Sequence, residues 1–216
     1  MSNQFCDDDG FGVQELDVNL DVSRETIERI KIVVQELDRW RVTHNLIGPE
    51  ERKRLWRRHI LDSLQLIKYR RKSGKSWLDL GSGAGFPALI LACATKEEGD
   101  AFTLVESNGK KASFLRSAIR AADLNARVVN QRIEDVSRET YQHVTARALA
   151  DLPRLLDHAY LFLAPEASCI FLKGKGFRDE LEAANRVWRF EFEEFPSLSH
   201  PDGRIIVISE LRRRMQ

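Results

Sequence analysis

Residues 77–92, WLDLGSGAGFPALILA, run from a short apolar segment through Gly81, Gly83 and Gly85 and back into apolar helix formers. Glycines spaced by single residues between a strand and a helix let the chain turn tightly, and they bring a ligand close to bare backbone at the carboxyl edge of a sheet. The spacing is GxGxG; a dinucleotide fingerprint would place its third glycine where Phe86 stands. Such a turn also arises for packing alone, so its meaning depends on the strands further along the chain.

Working outward, short apolar runs alternate with helical patterns from residue 76 onward, the signature of a parallel sheet wrapped by crossover helices. Strands are expected at about 76–81, 102–107, 126–131, 144–148, 167–172, 190–196 and 204–210, with helices at about 86–95, 109–122, 151–163 and 176–188. The segment PSLSHPDGR between the last two strands is too short for a crossover helix, so those strands should pair antiparallel as an edge hairpin. The fold class is therefore α/β, with a seven-stranded, mostly parallel, Rossmann-like sheet.

Two elements corroborate the glycine turn. FTLVES, residues 102–107, carries Glu106 about 25 residues after Gly81, where a carboxylate can accept both hydroxyls of a ribose. In VVNQRIEDV, residues 128–136, Ile133 can flank an adenine, and Glu134 or Asp135 can accept from its exocyclic amine. Acids at that point also serve simply to open a helix. Three elements in this order favour S-adenosyl-L-methionine (AdoMet) over NAD or FAD as the cofactor.

The N-terminal third reads differently. Residues 1–30 carry eight acids against two bases, and residues 1–22 are expected to form a mobile acidic leader. Residues 23–74 form a helical extension: Ile27, Ile30, Val34, Leu37 and Trp40 mark one amphipathic helix ending near His44. A second begins at Pro49, with Trp56, Ile60, Ser63, Leu64 and Ile67 facing inward. Residues 51–75 carry ten Lys/Arg against two acids, which leaves Arg52, Lys53, Arg57 and Arg58 largely outside, as a solvated face or an RNA-binding one. Residues 75–216 form the AdoMet-binding core. Cys6, Cys93 and Cys169 are widely spaced and show no metal-ligand pattern, and no apolar run reaches the roughly 18 residues that span a bilayer. A cytoplasmic monomer without metal or membrane partner is expected.

The chemistry is narrowed by what stands at the sheet edge. Amino-group methylases carry an Asn/Asp-Pro-Pro-aromatic signature after the fourth strand, where this chain reads VTARALADLP. Cys93 and Cys169 lie inside the apolar runs LILACAT and EASCIFLKG, as core residues rather than nucleophiles. Arg147 ends the fourth strand, and Lys173 and Lys175 follow the fifth in FLKGKG. Arg147 is either a salt-bridge partner for the N-terminal segment or a ligand-binding group.

Taken in order, LDRWRVTHNLIG, RHILDS, WLDLGSGAGFP, ESNGKKASFLR, QRIEDV, TARALADL and FLKGKG resemble the bacterial small-subunit (16S) ribosomal RNA guanine-N7 methyltransferases, also called glucose-inhibited division protein B. The resemblance covers roughly residues 25–210. It implies a class I AdoMet-dependent methyltransferase with a helical N-terminal extension, acting on small-subunit ribosomal RNA or the small ribosomal subunit. It also implies cofactor contacts from Gly81, Phe86, Glu106, Ile133, Glu134 and Arg147, to which the glycine turn adds Gly83 and Gly85. Arg147 and Lys173 would position the substrate, with no residue acting as acid or base. His59, Asp62 and Ser63 match the RHILDS stretch that packs against the cofactor edge. Ser82 and Ala84 stand where the family often has Thr and Pro, and Glu106 where Asp is common. A small-molecule or protein methyltransferase on the same fold would explain the glycine turn but not the basic run. A non-catalytic RNA-binding assembly module would need a vestigial pocket.

Overall fold

The computed structural model describes residues 5–20, 22–71 and 74–214; positions 1–4, 21, 72 and 73 of the expected leader and basic extension lie outside them. Strands β1 (Ser76–Leu80), β2 (Ala101–Val105), β3 (Ala126–Val129), β4 (Tyr141–Arg147), β5 (Leu163–Lys173), β6 (Trp188–Pro196) and β7 (Arg204–Arg213) form a seven-stranded sheet in the order β3-β2-β1-β4-β5-β7-β6. Neighbours from β3 to β5 are parallel, and β7 runs antiparallel to both β5 and β6. The expected hairpin is present with its second strand inward, so that β6 rather than β7 forms the edge.

The helices are α1 (Val13–Leu20), α2 (Arg24–Arg41), α3 (Pro49–Arg52), α4 (Asp62–Leu64), α5 (Ala88–Ala94), α6 (Gly109–Ala121), α7 (Leu152–Ala159) and α8 (Phe177–Val187). Alternation along β1 divides the core. Trp77 faces a layer that includes Ile30 and Leu37 of α2, Leu89 of α5 and Phe114 of α6. Leu78 and Leu80 face the other, with Leu155 of α7 and Leu181 of α8. Because the chain winds from β1 through β2 to β3 and then crosses back to β4, the carboxyl ends of β1 and β4 bound the crevice where open α/β sheets place their ligands.

Helix α2 begins at its Ser23 cap, whose hydroxyl accepts from the Thr26 N–H at 3.2 Å, and buries Ile27, Ile30, Val33, Val34 and Leu37. The second helix of the extension is broken, where its apolar stripe predicts continuity. After α3 comes a turn, then a π-helical stretch over Trp56–Leu61, α4, and a 3-10 turn over Gln65–Tyr69. The break has a visible cause. The buried carboxylate of Asp7 accepts from the Trp56 and Arg57 N–H groups at 2.8 and 2.9 Å, capping a new helical start from 49 residues away.

That contact corrects the expectation of a mobile leader. Residues 6 and 12 bridge, Phe11 and Leu16 are buried, and the segment packs on the basic extension. The apolar side chains at 11 and 16 anchor what its acidity alone would leave solvated. On the basic face the placement of Arg52 is corrected. Arg52 is only 15 % exposed in its side chain and grips Asp38 through two hydrogen bonds of 2.7 Å. Lys53 is exposed but paired with Glu50, and Arg57 lies 4.2 Å from the Phe11 ring centroid with Asp9 at 3.3 Å. Arg58 is half-buried and has no acidic partner among the described residues.

Candidate active site

The loop after β1 turns through left-handed backbone at each glycine, with φ of +67° at Gly81, +55° at Gly83 and +85° at Gly85. The three do different work. A side-chain carbon at Gly81 would come within 2.7 Å of Leu149 Cδ1, whereas one at Gly83 would find nothing nearer than 3.8 Å, so Gly83 lies open to the crevice. Gly85 turns inward: a carbon there would sit 2.3 Å from Leu89 Cδ1 and 3.1 Å from Leu115 Cδ2, which makes it a packing glycine.

Glu106, just past the end of β2, is buried and ties the two loops together. One carboxylate oxygen accepts from Gly83 N–H at 2.8 Å and the other from Asn108 N–H at 2.7 Å. Each oxygen keeps a lone pair for a ligand hydroxyl. A cavity of about 380 Å³ opens here, and Gly81, Gly83, Glu106, Ile133 and Glu134 all line it. Gly85 and Phe86 do not line it; the Phe86 ring packs against His59, with centroids 4.9 Å apart.

Arg147 and Lys173 line a second cavity of about 790 Å³, which shares Ala148, Leu149 and Ala150 with the first. The loop after β4 is thus the partition between the two spaces. Lys173 is held by Glu180 at 2.6 Å and donates to the Ala150 carbonyl at 2.9 Å, which fixes that partition from below. Arg147 donates to His59 Nδ1 at 2.6 Å, and His59 Nε2–H donates to Glu51 at 2.9 Å. Burial, reinforced by the Arg147 and Arg58 charges, pushes the His59 imidazole down to about 3. A neutral imidazole therefore orients the guanidinium without cancelling its charge. Asp62 accepts from Ser197 and Ser199 at 2.9 and 2.7 Å, tying the extension to the β6–β7 loop at the same cavity.

Sequence reasoning missed Asp79. It lies in β1 two residues before the first glycine, 1 % exposed, with one oxygen bound by Thr145 Oγ1 at 2.7 Å and Oδ2 without a protein partner. Burial raises its carboxyl to about 6, opposed by hydrogen bonds and by the nearby Arg147 charge. Arg147 Nη1 is likewise buried without a partner among the described residues. The signal was present in the letters, since an acid inside the apolar run WLDL has to have a reason to be there. Lys111, Arg132, Arg154 and His158 on the first cavity's wall left no such mark, because they come from three separate segments.

The donor set fits AdoMet. Glu106 can take a ribose diol, and Ile133 and Glu134 can bracket an adenine; Asp79 lines neither cavity, and its Oδ2 has no partner among the described residues. Neither core thiol competes as a nucleophile. Cys93 and Cys169 are fully buried, and burial pushes the Cys169 thiol up to about 12.

The model of the family GidB, rRNA small subunit methyltransferase G, matches residues 26–205. The chain is 46 % identical over 194 residues to the ribosomal RNA small subunit methyltransferase G of Hyphomonas neptunium, covering 90 % of this chain and 92 % of that one. It is 42 % identical over 202 residues to the protein of the same name from Paramagnetospirillum magneticum, covering 94 % and 97 %. Among solved structures, an O-methyltransferase from Bacillus cereus in complex with SAH aligns over 91 % of this chain and 96 % of that chain, with a TM-score of 0.56 and 16 % identity. A fibrillarin/Nop5p complex aligns over 76 % and 87 %, with a TM-score of 0.54 and 15 % identity. At such identities the structures speak for the fold alone.

Proposed function

Because the chain belongs to the rRNA small subunit methyltransferase G family, we propose that it transfers a methyl group from AdoMet to N7 of a guanine in small-subunit ribosomal RNA. The observation that carries this reading is the pair of cavities meeting at residues 148–150, one fitted to an adenosine and the other large, open and bordered by Arg58, Arg147, Lys173 and Lys175.

Bound AdoMet would supply an electrophilic methyl group on a sulfonium. The chain's part is alignment: Gly81, Gly83 and Glu106 would hold the cofactor, with Ile133 and Glu134 at the adenine. Gly85 and Phe86 act behind the wall, in packing. Arg147 and Lys173 fix the partition and the approach of the acceptor. Guanine N7 has a free lone pair and no proton to lose at neutral pH, so its attack needs no general base. The site is consistent with that. Both nitrogens of His59 are engaged by Arg147 and Glu51, and its depressed basicity keeps it from taking a proton near neutrality. Positioning alone can supply a large rate factor, since well-aligned reactants reach effective molarities of about 10⁵ M or more. The two buried free thiols suit a reducing compartment such as the cytoplasm.

The test is to incubate the protein with methyl-labelled AdoMet and, separately, naked small-subunit RNA, assembled small subunits, and a metabolite extract. Label in either RNA sample supports the reading. Label only in small molecules or protein would replace it with another methyltransferase, and no label anywhere would leave a binding module.

A further inference from the structure

Helix α6, GKKASFLRSAIRA, carries Lys110, Lys111, Arg116 and Arg120 and no acid. None of the four has an acidic partner within ion-pair distance among the described residues. The contrast with the more conspicuous basic run is direct, since there Lys53 pairs with Glu50, Arg57 with Asp9, and Arg70 with Asp100 and Glu98. Lys110, Arg116 and Arg120 are exposed, and at their spacing they fall on one side of the helix with Ser113. Like charges gathered on one face repel one another, and an anionic partner relieves that cost.

A second, independent feature adjoins this face. Lys110 and Ser113 form one wall of a groove of about 710 Å³ whose other wall is Trp40 and His44, from the end of α2 and the turn after it. The two rings lie 5.3 Å apart and tilted by 47°, and Trp40 is braced from behind by Phe114 of α6 at 6.3 Å. Next in sequence, Lys111 lines the cofactor cavity, so the groove leads to its rim. Exposed cations beside a braced aromatic pair are what a single nucleic-acid strand requires, the cations for phosphates and the rings for a base.

We propose that the acid-free face of α6 and the Trp40–His44 groove form the track that binds the RNA strand flanking the target nucleotide. This rests on the reading of the protein as an RNA methyltransferase. It moves the main phosphate contacts away from Arg52, Lys53 and Arg57, whose charges are already answered within the fold.

The experiment compares the full-length protein with a triple variant, Lys110→Gln, Arg116→Gln and Arg120→Gln, all at exposed positions, and with an Arg52→Gln/Lys53→Gln variant. RNA affinity is measured against salt with naked small-subunit RNA and with assembled subunits, alongside AdoMet affinity and methyl transfer. The triple variant should bind both RNA samples about tenfold or more weaker, lose about 0.7 of salt slope per removed contact, and keep its AdoMet affinity. The Arg52/Lys53 variant should keep most of the slope. Equal affinity and slope in the triple variant would overturn the track while active wild type left the methyltransferase reading standing. Loss of binding to assembled subunits alone would also overturn it, in favour of an acidic protein surface. Wild type that transfers no methyl to RNA would instead bring down the function, and the track with it.

Discussion

In the proposed site cofactor binding turns on Glu106, whose two oxygens join Gly83 and Asn108 on the wall of the first cavity. Replacing it with Gln should keep the fold and weaken AdoMet binding roughly ten- to a hundredfold, the worth of one charge-assisted hydrogen bond at about 1.5–3 kcal/mol. Calorimetry on the purified variant checks this. His59 sets a second expectation. The folded state holds its imidazole at about 3 against an ordinary value of 6.5, so below pH 6.5 the unfolded chain binds a proton that the native chain refuses. Its contribution to stability is present above pH 6.5 and is lost as pH falls from there toward 3. Asp79, raised to about 6, acts with the opposite sign, losing stability as pH rises through that value. Urea unfolding of wild type and His59→Gln at pH 7 and pH 4.5 separates the two: the fall in stability between those pH values should be smaller in the variant.

At the scale of elements, the sheet and the first helix of the extension were legible and the second helix was not. β1 through β7 lie within a few residues of where period and turn composition put them, because each strand is fixed by its own apolar run. The helix after Pro49 carries an unbroken apolar stripe, yet it breaks because Asp7 claims two of its amides from far away in the chain. No local pattern encodes such a contact. The same tertiary effect explains the basic run, whose Arg52 and Arg57 are answered by Asp38 and Asp9. Among the residues that line the first cavity, Gly81, Gly83, Glu106, Ile133 and Glu134 were readable from order and spacing. Asp79 left a mark in WLDL that went unread, whereas the inward role of Gly85 needed three dimensions. With Asp7 as the cap, Asp7→Ala strands two partly buried amides and should cost about 1–3 kcal/mol in urea unfolding, well above the effect of Asp8→Ala on the exposed neighbour.

For the whole molecule, two cavities meet at the loop after β4, and the proposed transfer to N7 asks this sheet edge for alignment rather than proton transfer. Single-turnover methyl transfer with saturating RNA and AdoMet should therefore vary little between about pH 6 and 9, since an N7 acceptor asks no group to change protonation there. A tenfold rise per pH unit in the chemical step would signal a deprotonation and point to an amine or hydroxyl acceptor, with His200 at the mouth of the second cavity the first base to examine. The most direct measurement identifies the product itself. Small-subunit RNA labelled by the protein from methyl-labelled AdoMet, digested to nucleosides and separated, should carry its label in 7-methylguanosine. Label in a base carbon, an exocyclic amine or a ribose oxygen, or RNA left unlabelled by folded protein that binds AdoMet, would contradict the assignment.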